Sequence, residues 1–184
     1  MSSFRLLLIT CLLVSPLPAL SDGFTLSIPS IKPNGWLSAD QVFNGFGCEG
    51  ANRSPRLGWR NPPVGTKSFA ITVYDPDAPT GSGWWHWVVI NIPSTTFMLH
   101  ESAGNPSLRL LPGAAKQVPT DFGQPGFGGA CPPVGDKPHK YIFTVYALNT
   151  EKIHLPNNAT AAFAGFMINA HLIDKVSVTA VYGR

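Results

Sequence analysis

Residues 68–93 read SFAITVYDPDAPTGSGWWHWVVINIP and carry the clearest sign of the chain's architecture. Two segments of this stretch, Ser68 to Tyr74 and Trp85 to Ile92, alternate in the strand period and are rich in β-branched and aromatic residues. A Pro- and Gly-rich bend separates them. Such alternation, bounded by turn residues, is typical of β-strands, so the stretch predicts two of them.

Further strands are predicted on both sides of this stretch. They are Tyr141 to Leu148, Val176 to Tyr182 and, more weakly, Phe24 to Ile28. One helix is predicted to begin around Asn158, which can cap it, and to run towards Lys175, because its apolar residues recur at three- and four-residue spacing. This helix lies between two strands near the end of the chain.

Two long stretches, Asn44 to Pro63 and Leu111 to Pro138, are rich in Gly and Pro, and each holds one cysteine. We expect ordered loops there, stapled together by those cysteines. With 44% hydrophobic and 12% charged residues, the chain is too apolar for a disordered protein. With 18 Gly and 18 Pro, it contains too many helix-breaking residues for a helical bundle. The sequence predicts one mostly β domain, an antiparallel β-sandwich with peripheral helices.

The first residues have the layout of a secretory signal peptide. Arg5 precedes an apolar run from Leu6 to Val14, and the small-x-small triplet Ala19-Leu20-Ser21 follows, so cleavage is predicted after Ser21. The run is too short for a membrane anchor, which needs roughly 20 apolar residues. We therefore expect a periplasmic or secreted domain of residues 22–184, with no transmembrane segment after cleavage.

Two cysteines remain after that cleavage, Cys48 and Cys131. In an exported chain an even count favours a disulfide, whereas two buried free thiols are the alternative in a reducing compartment. A bond between them would close a loop of about 80 residues and contribute roughly 3 to 5 kcal/mol.

The charge balance excludes one class of partner. The chain has 13 Lys and Arg against 10 Asp and Glu, and the basic residues are scattered singly. No dense basic patch exists to neutralise a run of phosphates, so we expect no binding to nucleic acid.

Polar groups stand at the ends of the apolar strand faces. Phe69, Ile71 and Val73 share one face, and the alternation places Asp75 at its end, where a carboxylate must be solvated or paired. Asp77 follows two residues later in a segment whose prolines restrict the backbone. Taken alone, these carboxylates also fit an ordinary strand-ending turn.

Two histidines extend the same pattern. His86 is predicted to share a face with Val88 and Ile90, while Trp85 and Trp87 point the other way. A lone histidine among tryptophans also fits a packed structural role. The second histidine, His139, is placed at the entrance to the apolar face that begins with Tyr141.

Convergence of these strand ends would bring two histidines, a tyrosine hydroxyl and two carboxylates to one small cavity. Imidazole and phenol groups can donate hydrogen bonds to an anion, and a carboxylate can fix a histidine tautomer. Such a pocket suits a phosphate-like monoanion. A metal site is the competing hypothesis, although no tight ligand motif is present, and we expect neither metal nor cofactor. Nucleophilic catalysis is disfavoured because no Gly-x-Ser-x-Gly elbow occurs.

Two long strings resemble the conserved regions of a known family. YDPDAPTGSGWWHWVVINIP (Tyr74 to Pro93) and GGACPPVGDKPHKYIFTVYAL (Gly128 to Leu148) are similar to those of the phosphatidylethanolamine-binding protein family. FNGFGCEGANRSP (Phe43 to Pro55), TDFG (Thr120 to Gly123) and the ending TAVYGR resemble its bacterial Raf-kinase-inhibitor-like branch, the YbhB/YbcL type. The resemblance implies a Greek-key β-sandwich with an anion pocket at one end.

The family's pocket residues map onto individual positions of this chain. The resemblance implies ligand binding by Asp75, Asp77, Pro79, His86, Cys131, His139 and Tyr141. Cys131 precedes Pro132 and Pro133 where the family has glycine, so a disulfide there would lie at the pocket rim and narrow it.

The function implied is that of an exported, non-enzymatic binding protein for phosphate or phosphorylated head groups such as phosphorylethanolamine, one that can modulate a partner protein. Inhibition of a protease or another enzyme through exposed loops is the alternative. A weak hydrolase using Asp75 with His86 is a third hypothesis.

Overall fold

The computed structural model describes residues 23–184, and the predicted signal peptide with its cleavage site after Ser21 lies outside them. Within the described residues the chain forms ten β-strands and one α-helix. These elements are β1 Thr25–Ser27, β2 Asn44–Gly45, β3 Cys48–Glu49, β4 Leu57–Arg60, β5 Ser68–Asp75, β6 Trp84–Pro93, β7 Met98–Leu99, β8 Lys116–Gln117, β9 His139–Leu148, α1 Ala161–Ala170 and β10 Leu172–Tyr182.

The strands form two main antiparallel sheets and one small hairpin. The larger sheet has the order β10-β9-β5-β6-β8, the smaller one the order β1-β4-β7, and β2 pairs with β3. In the run β9-β5-β6-β8 a late strand returns to lie beside the first strand of a hairpin, which is the Greek-key arrangement. The predicted fold class, a mostly β antiparallel sandwich, is confirmed.

Two apolar cores cover the two faces of the larger sheet. One includes Phe69, Trp87 and Phe143 of the larger sheet together with Trp59 of β4 and Leu99 of β7 from the smaller sheet. The other packs side chains of the opposite face against α1 and the loop before it, and its members include Ala70, Val88, Ile90, Ile153, Ala164 and Ile168. Because both faces are covered, the central strands read as nearly continuous apolar runs.

The predicted strands of the larger sheet are confirmed as β5, β6, β9 and β10, but two boundaries near the end of the chain were wrong. The helix ends at Ala170, and β10 begins at Leu172, so the predicted extension of the helix towards Lys175 is strand. Asn158 does not cap the helix. Thr160 does, because its side chain accepts a hydrogen bond from the Phe163 amide at 3.1 Å.

The helix cap gives a testable local prediction. Thr160→Ala is expected to lower the free energy of unfolding by about 1 kcal/mol, because the amide of Phe163 loses its acceptor. Asn158→Ala is the matched control and should leave the urea midpoint nearly unchanged. A larger effect at Asn158 than at Thr160 would show that the helix begins earlier.

The long Gly- and Pro-rich stretches are ordered but less irregular than predicted. The first contains β2, β3 and β4, and the second contains β8. Three of these four strands have only two residues, too few for an alternating pattern to be detected. In β4 the alternation is real, since Leu57 and Trp59 are both buried.

Candidate functional site

A cavity of about 180 Å³ opens where β5, β6 and β9 meet the loops that follow β2 and β8. Its lining residues are Phe46, Asp75, Ala78, Pro79, Thr80, Trp84, His86, Phe122, Cys131, Pro132, Pro133, His139 and Tyr141. Six of the seven residues predicted to bind a ligand therefore lie around one cavity, and Asp77 does not.

Two paired and buried side chains, Asp75 and His139, form one wall of the cavity. Oδ2 of Asp75 lies 2.8 Å from Nδ1 of His139, and the two side chains are only 3% and 5% exposed. Nε2 of His139 lies 3.4 Å from a carboxylate oxygen of Asp136. The carboxylate that ends the β5 face is thus paired, as the sequence analysis required, and His139 is held between two acids.

Asp77 supports this wall from outside. Its backbone amide donates to Oδ1 of Asp75 at 2.8 Å, and its own carboxylate accepts a hydrogen bond from the Lys140 amide at 2.8 Å. The side chain is exposed. Asp77 therefore joins the loop after β5 to the start of β9 instead of facing the cavity, which corrects its predicted placement in the pocket.

His86 forms the opposite wall and is buried. Its Nδ1 lies 2.7 Å from the carbonyl oxygen of Gly128, and its ring meets those of Tyr141 and Phe122 edge-on, at centroid distances of 5.1 and 5.5 Å. Burial lowers the pKa of His86 from its ordinary value of 6.5, outweighing the Gly128 carbonyl and the charge of Asp75, which act in the opposite direction.

The lowered pKa of His86 also makes the stability of the fold depend on pH. As the pH falls below 6.5, the unfolded chain takes up a proton at this residue before the folded chain does. The contribution of His86 to the free energy of unfolding is therefore complete above pH 6.5. It is lost as the pH falls towards the pKa of His86 in the folded protein.

A β-bulge aims His86 into the cavity. The pairing of β5 with β6 sets Val73 opposite Trp87 and Tyr74 opposite Trp85, so His86 is an extra residue. A bulge of this kind redirects a side chain. The predicted faces of β6 were therefore wrong: His86 and Trp87 both face the side of Tyr141, whereas Trp85 packs with the core beneath α1.

Tyr141 closes the floor of the cavity. Its side chain is buried, and burial together with the nearby charge of Asp75 raises the pKa of its phenol far above the ordinary value. The hydroxyl is therefore a permanent donor in the physiological range. In residues 23–184 no hydrogen-bond partner is found for this hydroxyl or for Nε2 of His86.

The predicted disulfide is present between Cys48 and Cys131. Cys131 lines the cavity beside Pro132 and Pro133, so the bond lies at the rim, as the resemblance implied. It ties the β2–β3 hairpin, whose turn carries Phe46, to the proline wall.

Residues 27–183 match the sequence profile of the phosphatidylethanolamine-binding protein family. The chain belongs to this family. The match covers nearly all of the described residues, including every residue that lines the cavity.

Within the phosphatidylethanolamine-binding protein family, bacterial proteins are close relatives. The chain is 54% identical to YbcL of Escherichia coli (strain K12) over 164 residues, covering 89% of this chain and 90% of YbcL. It is 50% identical to YbhB of the same organism over 141 residues, covering 77% and 88%. The crystal structure of YbcL, whose description calls it a new member of the mammalian family, superposes with a TM-score of 0.85 over 88% of this chain and 98% of that one.

An aromatic cluster at the mouth of the cavity was not singled out from sequence. Phe122 stacks on Phe46 with centroids 6.0 Å apart and meets Trp84 edge-on at 5.4 Å. Phe122 and Phe46 lie in the TDFG and FNGFGC strings that carry the family resemblance. That resemblance was the available signal, since isolated aromatic residues in loops show no period.

Arg184 is a second residue whose position the sequence did not reveal. Its guanidinium donates hydrogen bonds to the carbonyl oxygens of Pro132, Gly47 and Phe46, at 2.6, 2.9 and 3.2 Å. Together with the disulfide it clamps the hairpin of Phe46 against the proline wall of the cavity.

In residues 23–184 no three His, Cys, Asp or Glu side chains are grouped so that they could hold a metal ion. In the same range no helix is long and apolar enough to cross a membrane.

Proposed function

We propose that the protein is an exported, non-enzymatic binding protein that holds phosphate or a phosphorylated head group, such as phosphorylethanolamine, in the cavity of His86 and Tyr141. Binding there would let it modulate a partner protein. One observation carries the proposal. Nε2 of His86 and the Tyr141 hydroxyl are polar atoms of buried side chains that line a small cavity and lack partners among residues 23–184. Neither atom is sealed in the interior, so both are open to the cavity, where a ligand can form hydrogen bonds with them.

The size and walls of the cavity support a small head group. A volume of about 180 Å³ holds a phosphate with a short substituent, and aromatic and proline side chains form much of its wall. The acidic side chains also limit the charge of the ligand. Asp75 is hydrogen-bonded to His139 in the cavity wall, and its carboxylate would repel a ligand with two negative charges more strongly than a ligand with one.

The non-enzymatic character rests on the chemistry of the lining. Cys131 is held in the disulfide, and the Thr80 hydroxyl donates to the carbonyl oxygen of Gly83. A nucleophile next to a general base is therefore not found among the residues that line the cavity. Members of this family are generally binding proteins without catalytic activity.

Export is supported by the disulfide together with the leader-like sequence of residues 1–21. Disulfides persist in oxidising compartments such as the periplasm and the extracellular space. The Cys48–Cys131 bond therefore fits a chain that has left the cytosol.

The binding proposal is tested by calorimetric titration with phosphorylethanolamine at about pH 5.5, below the reference pKa of histidine. Wild-type protein is expected to bind saturably, and His86→Ala to bind at least about tenfold more weakly, because it loses a buried polar contact. His154→Ala, at an exposed histidine, is the matched control and should bind like the wild type. Equal affinity of wild type and His86→Ala would remove the pocket assignment, and no saturable binding by any of the three would contradict the proposed function.

A further inference from the structure

We infer that the cavity binds phosphate as a hydrogen-bond donor: it takes the monoanion of a phosphomonoester, whose P–OH donates to Nε2 of His86, and discriminates against phosphodiesters. This inference rests on the proposed function and adds the chemical class of the ligand. It also distinguishes free phosphorylethanolamine from the same head group in a membrane lipid, because the free molecule is a phosphomonoester and the lipid is a phosphodiester.

A hydrogen bond at Nδ1 fixes the tautomer of His86. Nδ1 lies 2.7 Å from the carbonyl oxygen of Gly128. A carbonyl oxygen can only accept a hydrogen bond, so Nδ1 carries a hydrogen. In the neutral ring Nε2 is then a bare acceptor, and this nitrogen is left to the cavity.

A second proton on this ring is costly. Burial lowers the pKa of His86, and the charged or titratable groups that face it do not reverse that effect. Those groups are Asp75 of β5, His139 and Tyr141 of β9, and Asp121 in the loop after β8. Asp75 is already hydrogen-bonded to His139 at 2.8 Å, and its charge does not offset the effect of burial on the pKa of His86.

Three backbone donors near His86 are already engaged. The amides of Gly128, Gly129 and Ala130 donate to the carbonyl oxygen of His86, Oδ1 of Asn52 and the carbonyl oxygen of Gln41, at 2.8, 2.7 and 3.0 Å. The ring of His139 has a carboxylate beside each of its nitrogens. Pro132 and Pro133 have no amide hydrogen to offer.

The cavity thus offers an acceptor at Nε2 of His86 and a donor at the Tyr141 hydroxyl, beside the carboxylate of Asp75. A phosphomonoester monoanion matches this pattern, because one P–O⁻ accepts from Tyr141 while its P–OH donates to His86. The second pKa of such an ester is about 6, so the monoanion is abundant at mildly acidic pH. A phosphodiester has the same charge but no acidic hydrogen. One of its oxygens would therefore face Nε2 of His86, and both atoms are acceptors.

Two isomeric anions test the inference directly. Ethyl phosphate and dimethyl phosphate have the same atoms, and at about pH 5.5 both carry mainly one negative charge, but only ethyl phosphate has a P–OH. We expect ethyl phosphate to bind wild-type protein at least about tenfold more tightly, since the diester leaves a buried acceptor unpaired. The difference should shrink to less than about threefold in His86→Ala. Phosphorylethanolamine and glycerophosphorylethanolamine should repeat the result for the two sources of the head group.

Each outcome has one meaning. Tighter binding of the monoester in the wild type, with the difference lost in His86→Ala, supports the inference. Equal binding of both anions overturns it but leaves the proposed anion site intact, and binding of neither overturns both. The wild-type comparison needs no variant, so a His86→Ala protein that failed to fold would not prevent the test. Tyr141→Phe, which keeps the ring, is the second variant and should weaken both ligands while preserving the difference between them.

Discussion

His139→Ala is expected to lower the free energy of unfolding by about 3 to 5 kcal/mol, because it leaves the carboxylate of Asp75 buried without its partner. The two side chains are 5% and 3% exposed and lie 2.8 Å apart. For a chain of this length each kcal/mol lowers the melting temperature by roughly 2 to 4 °C, so a decrease of about 10 °C should appear in calorimetry.

His100→Ala, at an exposed histidine, is the matched control and should melt like the wild type. The double variant His139→Ala/Asp75→Asn separates loss of packing from loss of charge compensation. If the cost comes from the unpaired carboxylate, the double variant should recover part of the stability lost in the single one. A decrease below about 1 kcal/mol in His139→Ala would show that water solvates Asp75 through the cavity and that the pair matters little.

The double variant Cys48→Ala/Cys131→Ala is expected to be less stable than the wild type by about 4 kcal/mol. The bond spans a sequence separation of 83 residues, and releasing a loop of that size increases the entropy of the unfolded chain. Affinity for phosphorylethanolamine should fall as well, since Cys131 is part of the cavity wall and the bond holds the hairpin of Phe46.

Treatment with a thiol reductant is the control for the comparison of the double cysteine variant with the wild type. A thiol reductant should lower the melting temperature of the wild type to that of the double variant, and should leave the double variant itself unchanged. An unaltered melting temperature in the double variant would mean that the Arg184 clamp and the cores are sufficient to hold these loops.

The long strands were predictable because their side chains repeat with a clear period. β5, β6 and β9 combine alternation with β-branched and aromatic residues, and turn residues bound them. The two-residue strands have no period of their own: β7 and β8 pair with the edges of longer strands, and β2 and β3 pair with each other in a hairpin. The start of β10 was missed for another reason: residues 172–175 continue the helical spacing, and pairing with β9 overrides that preference.

The candidate site was predictable in its members but not in its details. Asp75 follows one apolar face of β5, and His139 precedes Tyr141 on one face of β9. Alternation alone therefore predicted that these residues lie at the ends of strand faces. Asp75 and Asp77 look equivalent in the sequence, and only the backbone turn between them decides which one is buried. The neutral state of His86 depends on its burial, and its tautomer depends on the Gly128 carbonyl, neither of which a sequence pattern reveals.

The extra residue in β6 makes the site sensitive to strand length. Deleting the residue between Trp85 and Trp87 would remove His86 itself and restore regular pairing with β5, with the two tryptophans left on the faces that they now occupy. The flanking cores would keep their composition, so the chain could still fold while its cavity lost an imidazole. A gap at this point in a comparison with another protein therefore signals a changed binding chemistry.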